Sequence, residues 1–339
     1  MPFEDQAWVT LATNDTYSLG ALVLGQSLRR VGTSRRLHCL VTNDVTPGMR
    51  LQLVGVFDVV SQVDVLDSRD AENLALIERP DLGVTFTKLH CWRLTQYHKC
   101  VFLDADTLVL SNCDELFCRQ ELSAAPDIGW PDCFNSGVFV FAPSHYTYRA
   151  LLTRALDMGS FDGGDQGLLN EFFSDWRQRD AEFRLPFTYN TAASSLYTYV
   201  AAVKRFGKDV KIVHFLGGRK PWHYTAAERA NSSDEQLSRW WTVFVEDVLS
   251  CLPEEFHHLL GYGCGWGAGP FAGVGPGGPR GQAGPPCAPG GPVQSDIERQ
   301  RSWEEGKVDY LGRDSFENIQ KKLAQSMLEG KEPPTPDDA

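Results

Sequence analysis

The chain has 339 residues, 42% of them apolar, with 44 acidic against 32 basic side chains and a formal net charge of −12. That is enough to bury one large α/β core with additions. It is too acidic for an extended nucleic-acid footprint, although a local basic cleft for a phosphorylated ligand is not excluded. No apolar run reaches the roughly 20 residues of a membrane span, and the opening MPFEDQAWV lacks the basic and apolar regions of a signal peptide. The expected compartment is therefore the cytoplasm. The nine cysteines form no CxxC pair and are expected to be free thiols there.

Short β-branched, apolar runs predict strands at 8–13, 37–42, 59–65, 100–103, 137–142 and 210–216. Between them, helical spacing is present at 17–30, where Leu19, Leu22, Val23 and Leu28 share a side, and at 151–158 and 166–173. A last helix is predicted over 233–249. Alternation of this kind predicts a mostly parallel, mixed α/β sheet covered on both faces, in one domain of residues 1–262. Residues 263–294 are dominated by Gly and Pro, cannot bury a core, and read as a disordered linker. In 295–330, Asp314 and Glu317 have capping-box spacing, and Phe316, Ile319, Leu323 and Met327 form one helical stripe. A lone helix of that size is marginal in water. It is expected to dock into a partner's groove or to fold back on the domain. Residues 331–339 are a polar tail.

The chemistry concentrates in three places. In "KCVFLDADTLVL", Asp104 and Asp106 follow an apolar strand. Residues i and i+2 of extended chain point the same way, so both carboxylates reach one point at the strand's carboxyl end, where open α/β sheets bind ligands. A divalent cation would offset them; the alternative is one turn cap and one solvated group. In "VKIVHFLGGRKPW", His214 ends a strand before a Gly pair, Arg219 and Lys220. That suits a metal-bound diphosphate, and an Asp-Asp-His set favours Mn2+ over Mg2+. In "GSFDGGDQGLLN", Asp162 and Asp165 flank two glycines ahead of a helix, as a helix start or as a sugar-hydroxyl site.

These segments, with "VTLATNDTYSLGALVLGQSL", "RPDLGVTFTKLHCWRLTQYHK" and "SAAPDIGWPDCFNSGVFVF" in the same order, resemble the glycogenin family of retaining glycosyltransferases, within family 8. The resemblance covers nearly the whole chain. It implies a Rossmann-like GT-A fold, UDP-glucose as donor, Mn2+ as cofactor with Mg2+ a weaker substitute, and a cytoplasmic homodimer. It implies a self-glucosylating enzyme that extends a short α-1,4-glucan primer for glycogen synthase, with the synthase bound by 295–330. By resemblance, Asp104, Asp106 and His214 are metal ligands. Leu11, Thr13, Asn14 and Tyr17 hold uridine, with Arg79, Lys88 and Ala105 near the nucleotide and sugar. Asn135, Ser136, Asp162, Asp165 and Gln166 hold glucose, and Gly217 and Lys220 the diphosphate. Asp165, Asp162 and Lys88 carry the chemistry, and Tyr197 is the glucosylated acceptor. From residues alone Tyr197 is a packed tyrosine like Tyr199. The run "TAASSL" before Tyr197 and the middle of "GGRKPW" depart from the family's usual wording without touching these residues. A non-catalytic anchor for the synthase, and a transferase acting on another acceptor, are the competing readings.

Overall fold

The computed structural model describes residues 5–76, 80–193 and 200–260, all within the compact unit Met1–Ala268. Arg79, Tyr197, the predicted linker, the predicted C-terminal helix and the tail lie outside the described residues.

Strand β1 (Gln6–Ala12) leads to helix α1 (Asp15–Arg30), then β2 (Arg36–Val41), α2 (Pro47–Val54), β3 (Val59–Gln62) and α3 (Ala71–Leu76). A run of 3₁₀ turns over Pro80–Arg93 precedes β4 (Lys99–Leu103), β5 (Thr107–Val109), β6 (Ser123–Pro126) and β7 (Phe134–Phe141). Next come α4 (His145–Met158), α5 (Asp165–Phe172), β8 (Thr191–Ala192), α6 (Val200–Phe206), β9 (Ile212–His214), α7 (Ala226–Ala230) and α8 (Glu235–Val243). The helix predicted over 233–249 is α8 continued by one wider turn over Phe244–Val248.

Six strands form one sheet in the order β3-β2-β1-β4-β7-β6. The β3–β2, β2–β1 and β1–β4 pairings are parallel, while β7 runs antiparallel to β4 and to β6. The mostly parallel sheet is therefore mixed at one side. Every residue of β7 is buried, as expected for a strand covered on both faces. One face carries Leu22, Leu24, Leu103, Val138, Trp222 and Trp240; the other carries Phe86, Trp92, Phe102, Phe139, Leu168 and Trp176. A second sheet, β5-β9-β8, takes up the chain directly after β4.

Helix α1 begins at the carboxyl end of β1 because Asn14 caps it, accepting the Tyr17 N–H at 2.9 Å. Asp15 in its first turn and Arg29 and Arg30 in its last complement the helix dipole. Gly20 is required within it: a Cβ there would stand 2.5 Å from the Ala105 carbonyl oxygen and press on the Trp222 ring. The helix thus packs directly on the turn that carries the two aspartates.

Candidate active site

Strand β4 ends at Leu103, and Asp104–Thr107 form a turn rather than extended chain. The turn is stitched to both sheets. The Asp104 N–H donates to the Gly137 carbonyl on β7 (2.8 Å), and the Asp106 carbonyl accepts the Phe215 N–H just past β9 (2.9 Å). Thr107 closes it, donating through N–H (3.0 Å) and Oγ1 (2.8 Å) to the Asp104 carbonyl. The two carboxylates converge because of this turn, not because of strand pleat. With His214, paired to Thr107 across β5–β9, they bring three ligand atoms within 4.8 Å of one another. Two carboxylates and an imidazole fit a divalent cation.

Two buried lysines frame this group. Lys88 Nζ stands 3.0 Å from Asp104 Oδ1 and 2.6 Å from Asp165 Oδ2, the latter an ion pair without hydrogen-bond alignment. It also donates to the Ser136 carbonyl (3.2 Å). Lys220 Nζ pairs with Asp106 Oδ2 and donates to the Phe215 carbonyl at 3.0 Å. Burial alone would pull Lys88 down, but the carboxylates of Asp104 and Asp165 outweigh it and hold it above the usual lysine range. Burial pushes Asp104 up despite Lys88, with Asp106 and Asp165 adding to the rise. Asp106 goes the other way: against burial, Lys220 and His214 hold it below the carboxylate range. Three carboxylates against two ammonium groups leave one negative charge in excess, which favours a divalent cation at the site.

A cleft of about 200 Å³ opens over these residues. It is lined by Leu11, Thr13, Asn14, Tyr17, Val84, Thr85, Lys88, Asp104, Ala105, Asp106, Asp165 and Lys220. The other expected residues stand behind it. Ser136 donates its N–H to Gln166 Oε1 (3.1 Å), and Gln166 Nε2 donates to Asp127 Oδ2 (3.1 Å). Asp162 accepts from Ser160 Oγ (2.8 Å) and the Gly164 N–H (2.9 Å), in the loop that starts α5. Burial raises its pKa in spite of those two donors. Asp165 is the first helical residue of α5, and the N-cap is Gly164. Its own N–H donates to Thr85 Oγ1 at 3.1 Å. Gly217 has φ +96° in the loop between β9 and Lys220, a conformation that favours glycine.

A model of the family described as glycosyl transferase family 8 matches residues 8–226. Glycogenin-1 of Mus musculus is 52% identical over 335 residues, covering 94% of this chain and 98% of that protein. Glycogenin-1 of Homo sapiens is 49% identical over 350 residues, with the same coverage of both. The chain belongs to the glycogenin family. Its fold is shared outside the glycogenins at low identity. The apo form of the glycosyltransferase GlyE of Streptococcus pneumoniae superposes with a TM-score of 0.52 at 19% identity, over 76% of this chain and 62% of that one. Galactosyltransferase LgtC in complex with donor and acceptor sugar analogs gives 0.51 at 18%, over 75% and 99%. These two show a GT-A glycosyltransferase fold. Val84 and Thr85, in a 3₁₀ run without periodicity, and Asp127 and Asn190 join the site without a signal in the sequence. The last two lie in loops, where only a structure joins them to His214.

Proposed function

We propose that the cleft binds UDP-glucose with Mn2+, and that this glycogenin glucosylates its own Tyr197 with retention of configuration. It then extends a short α-1,4-glucan primer for glycogen synthase. The observation that carries this reading is the meeting of Asp104, Asp106 and His214 between Lys88 and Lys220 in a chain of this family. Asp104, Asp106 and His214 would hold the cation; Mg2+ is the weaker substitute because one ligand is an imidazole. When bound, the cation supplies Lewis-acid stabilisation of the departing UDP. Lys220 adds positive charge at the diphosphate, beside Gly217. Leu11, Thr13, Asn14 and Tyr17 hold the uridine end, with Arg79 and Ala105 along the nucleotide. Asn135, Ser136, Asp162 and Gln166 hold the sugar hydroxyls. Lys88 pairs with Asp165 at 2.6 Å and so orients its carboxylate, which offsets the positive charge developing at the anomeric carbon. A phenol has a pKa near ~10, so Tyr197 attacks as departure of UDP advances.

Residues 295–330 would bind the synthase at the end of the 263–294 tether, in a homodimer. A cytoplasmic setting is supported by the seven described cysteines, all free. Among the described residues no helix is long and apolar enough to cross a membrane. Incubation with UDP-glucose and Mn2+, followed by intact mass, tests the function. A ladder of hexose additions is expected. No shift would favour the non-catalytic anchor, and release of UDP without self-labelling would favour another acceptor.

A further inference from the structure

His214 reaches the aspartates through Nε2, which lies 3.3 Å from Asp106 Oδ1. Its other nitrogen, Nδ1, is 3.0 Å from Asn190 Oδ1. Both residues are buried, His214 at 4% exposure and Asn190 at 7%. An imidazole can place its proton on either nitrogen, and the choice decides which lone pair a cation receives. With no cation between them, Asp106 Oδ1 also only accepts and draws the proton toward Nε2; a cation there takes up that carboxylate, and the choice then falls to the partner of Nδ1.

The reasoning starts at groups whose hydrogen-bond sense cannot change. The backbone N–H of Gly137 only donates, and it donates to Asn135 Oδ1 at 3.0 Å. A carboxylate only accepts, and Asp127 Oδ2 accepts from Asn135 Nδ2 at 2.9 Å. Both ends therefore orient the Asn135 amide the same way. Its oxygen is then the acceptor for the Asn190 amide, whose Nδ2 is 2.8 Å away. With the NH2 of Asn190 committed to Asn135, its oxygen is left facing His214 Nδ1. That oxygen can only accept, so Nδ1 must carry a hydrogen. Asp127 is itself anchored, since its Oδ1 accepts the Gly129 N–H at 2.7 Å.

We infer that Asn190 is a positioning residue for the metal site: its carboxamide oxygen holds the His214 proton on Nδ1, so that Nε2 presents its lone pair beside Asp106. The inference rests on the proposed role of His214 as a ligand, and it identifies a relay from Asp127 through Asn135 to that ligand. Outer partners of this kind typically govern metal affinity by 10–100-fold.

The test uses full-length protein with 15N-labelled histidine and three variants, with thermal melting to check folding. In the wild type with the ring neutral and diamagnetic Mg2+ and UDP bound, imidazole 15N–1H correlation should show His214 protonated on Nδ1. Protonation on Nε2 would overturn the inference. Asn190→Ala should mix the two tautomers and weaken Mn2+ binding, measured from free Mn2+ by electron paramagnetic resonance with UDP present, by about tenfold or more. Asn190→Asp keeps an acceptor for Nδ1–H but loses the bond to Asn135. It should keep the Nδ1–H tautomer and most of the Mn2+ affinity. If Asn190→Asp loses as much affinity as Asn190→Ala, the residue only cross-links the loop and the inference falls. His214→Gln separates the two levels: undiminished Mn2+ binding there removes the ligand role itself, whatever the tautomer.

Discussion

Gly137 on β7 lies against the His214 imidazole so closely that a Cβ would stand 2.6 Å from Nδ1 and closer still to Cε1. Glycine is needed at that point for space, not for an unusual backbone angle. Gly137→Ala should force the ring off Asn190. Overpacking of this kind costs about 1–3 kcal/mol. A lower melting temperature and a more than tenfold loss of Mn2+-dependent UDP release are expected. Near-normal release would show that the ring tolerates displacement.

The two aspartates should differ when neutralised. Asp104 is 29% exposed, and its neighbour Lys88 keeps Asp165 as a partner. Asp104→Asn should therefore lose turnover by more than 100-fold with little change in melting. Asp106 is the carboxylate that pairs with Lys220, whose side chain is 5% exposed. Asp106→Asn leaves that ammonium buried without its counter-charge, a defect that typically costs about 3–5 kcal/mol. It should lose both turnover and stability. Equal melting of the two variants would count against the Lys220–Asp106 pair.

Tyr197→Phe should abolish self-labelling while leaving UDP-glucose hydrolysis, or transfer to an added maltoside, in place. One hydroxyl is removed and no residue lining the described donor cleft is changed. Tyr189 is expected to be the poorer acceptor. Its hydroxyl donates to Glu115 Oε1 at 2.7 Å, and burial and that carboxylate raise its pKa well above the usual tyrosine value. Retained labelling in Tyr197→Phe, with loss in Tyr199→Phe, would move the acceptor to Tyr199. Peptide mapping of the glucosylated site reads the difference directly.

Six of the nine described strands and the long helices were legible in the sequence from their apolar runs and spacing, while the four-residue β6 was missed. The three-residue β5 and the two-residue β8 are too short to have a period, and they supply the second sheet that carries His214. The meeting of Asp104 and Asp106 was expected, but through the wrong local geometry. The strand ends at Leu103, as predicted, and a hydrogen-bonded turn follows it where extended chain was expected. Lys88 could be named only by resemblance. Its run from Pro80 to Arg93 shows no amphipathic period, and its importance comes from Asp104 and Asp165, 16 and 77 positions further along the chain.

Cutting the chain near Pro292 should leave catalysis intact, since every proposed donor, metal and acceptor residue precedes Gly261. Capture of purified glycogen synthase should be lost with the stripe from Phe316 to Met327. Shortening only the Gly/Pro run is different. About 35 flexible residues span roughly 30–35 Å, so a much shorter tether should keep synthase binding but reduce glucan size. Full-affinity capture by the truncated chain would favour the fold-back reading of that helix.

Stability should fall in acid through His38. Its ring is fully buried, within 3.2 Å of the Tyr97 hydroxyl and 2.9 Å of Ser61 Oγ, and burial lowers its pKa from 6.5 to about 4. The unfolded chain binds this proton first, so the contribution is complete above pH 6.5 and is lost as pH falls through about 4. A shift of that size is worth about 3 kcal/mol. Denaturant melts at pH 7 and pH 4 should show a shallower fall in His38→Gln than in the wild type. Parallel curves would exclude His38 as the acid-sensitive group.

The sheet keeps two hydrophobic clusters apart, and the cleft borrows from each. The Leu22–Trp222 side seats α1, β9 and the segment that ends at Lys220; the Phe86–Leu168 side seats Lys88 and α5. The Asp104–Thr107 turn joins them. On the proposed roles, mutational wear on one side should degrade the grip on the nucleotide, and on the other the handling of the sugar. A lineage carrying this fold can adjust its appetite for donor without relearning its chemistry, provided that one four-residue turn is left alone.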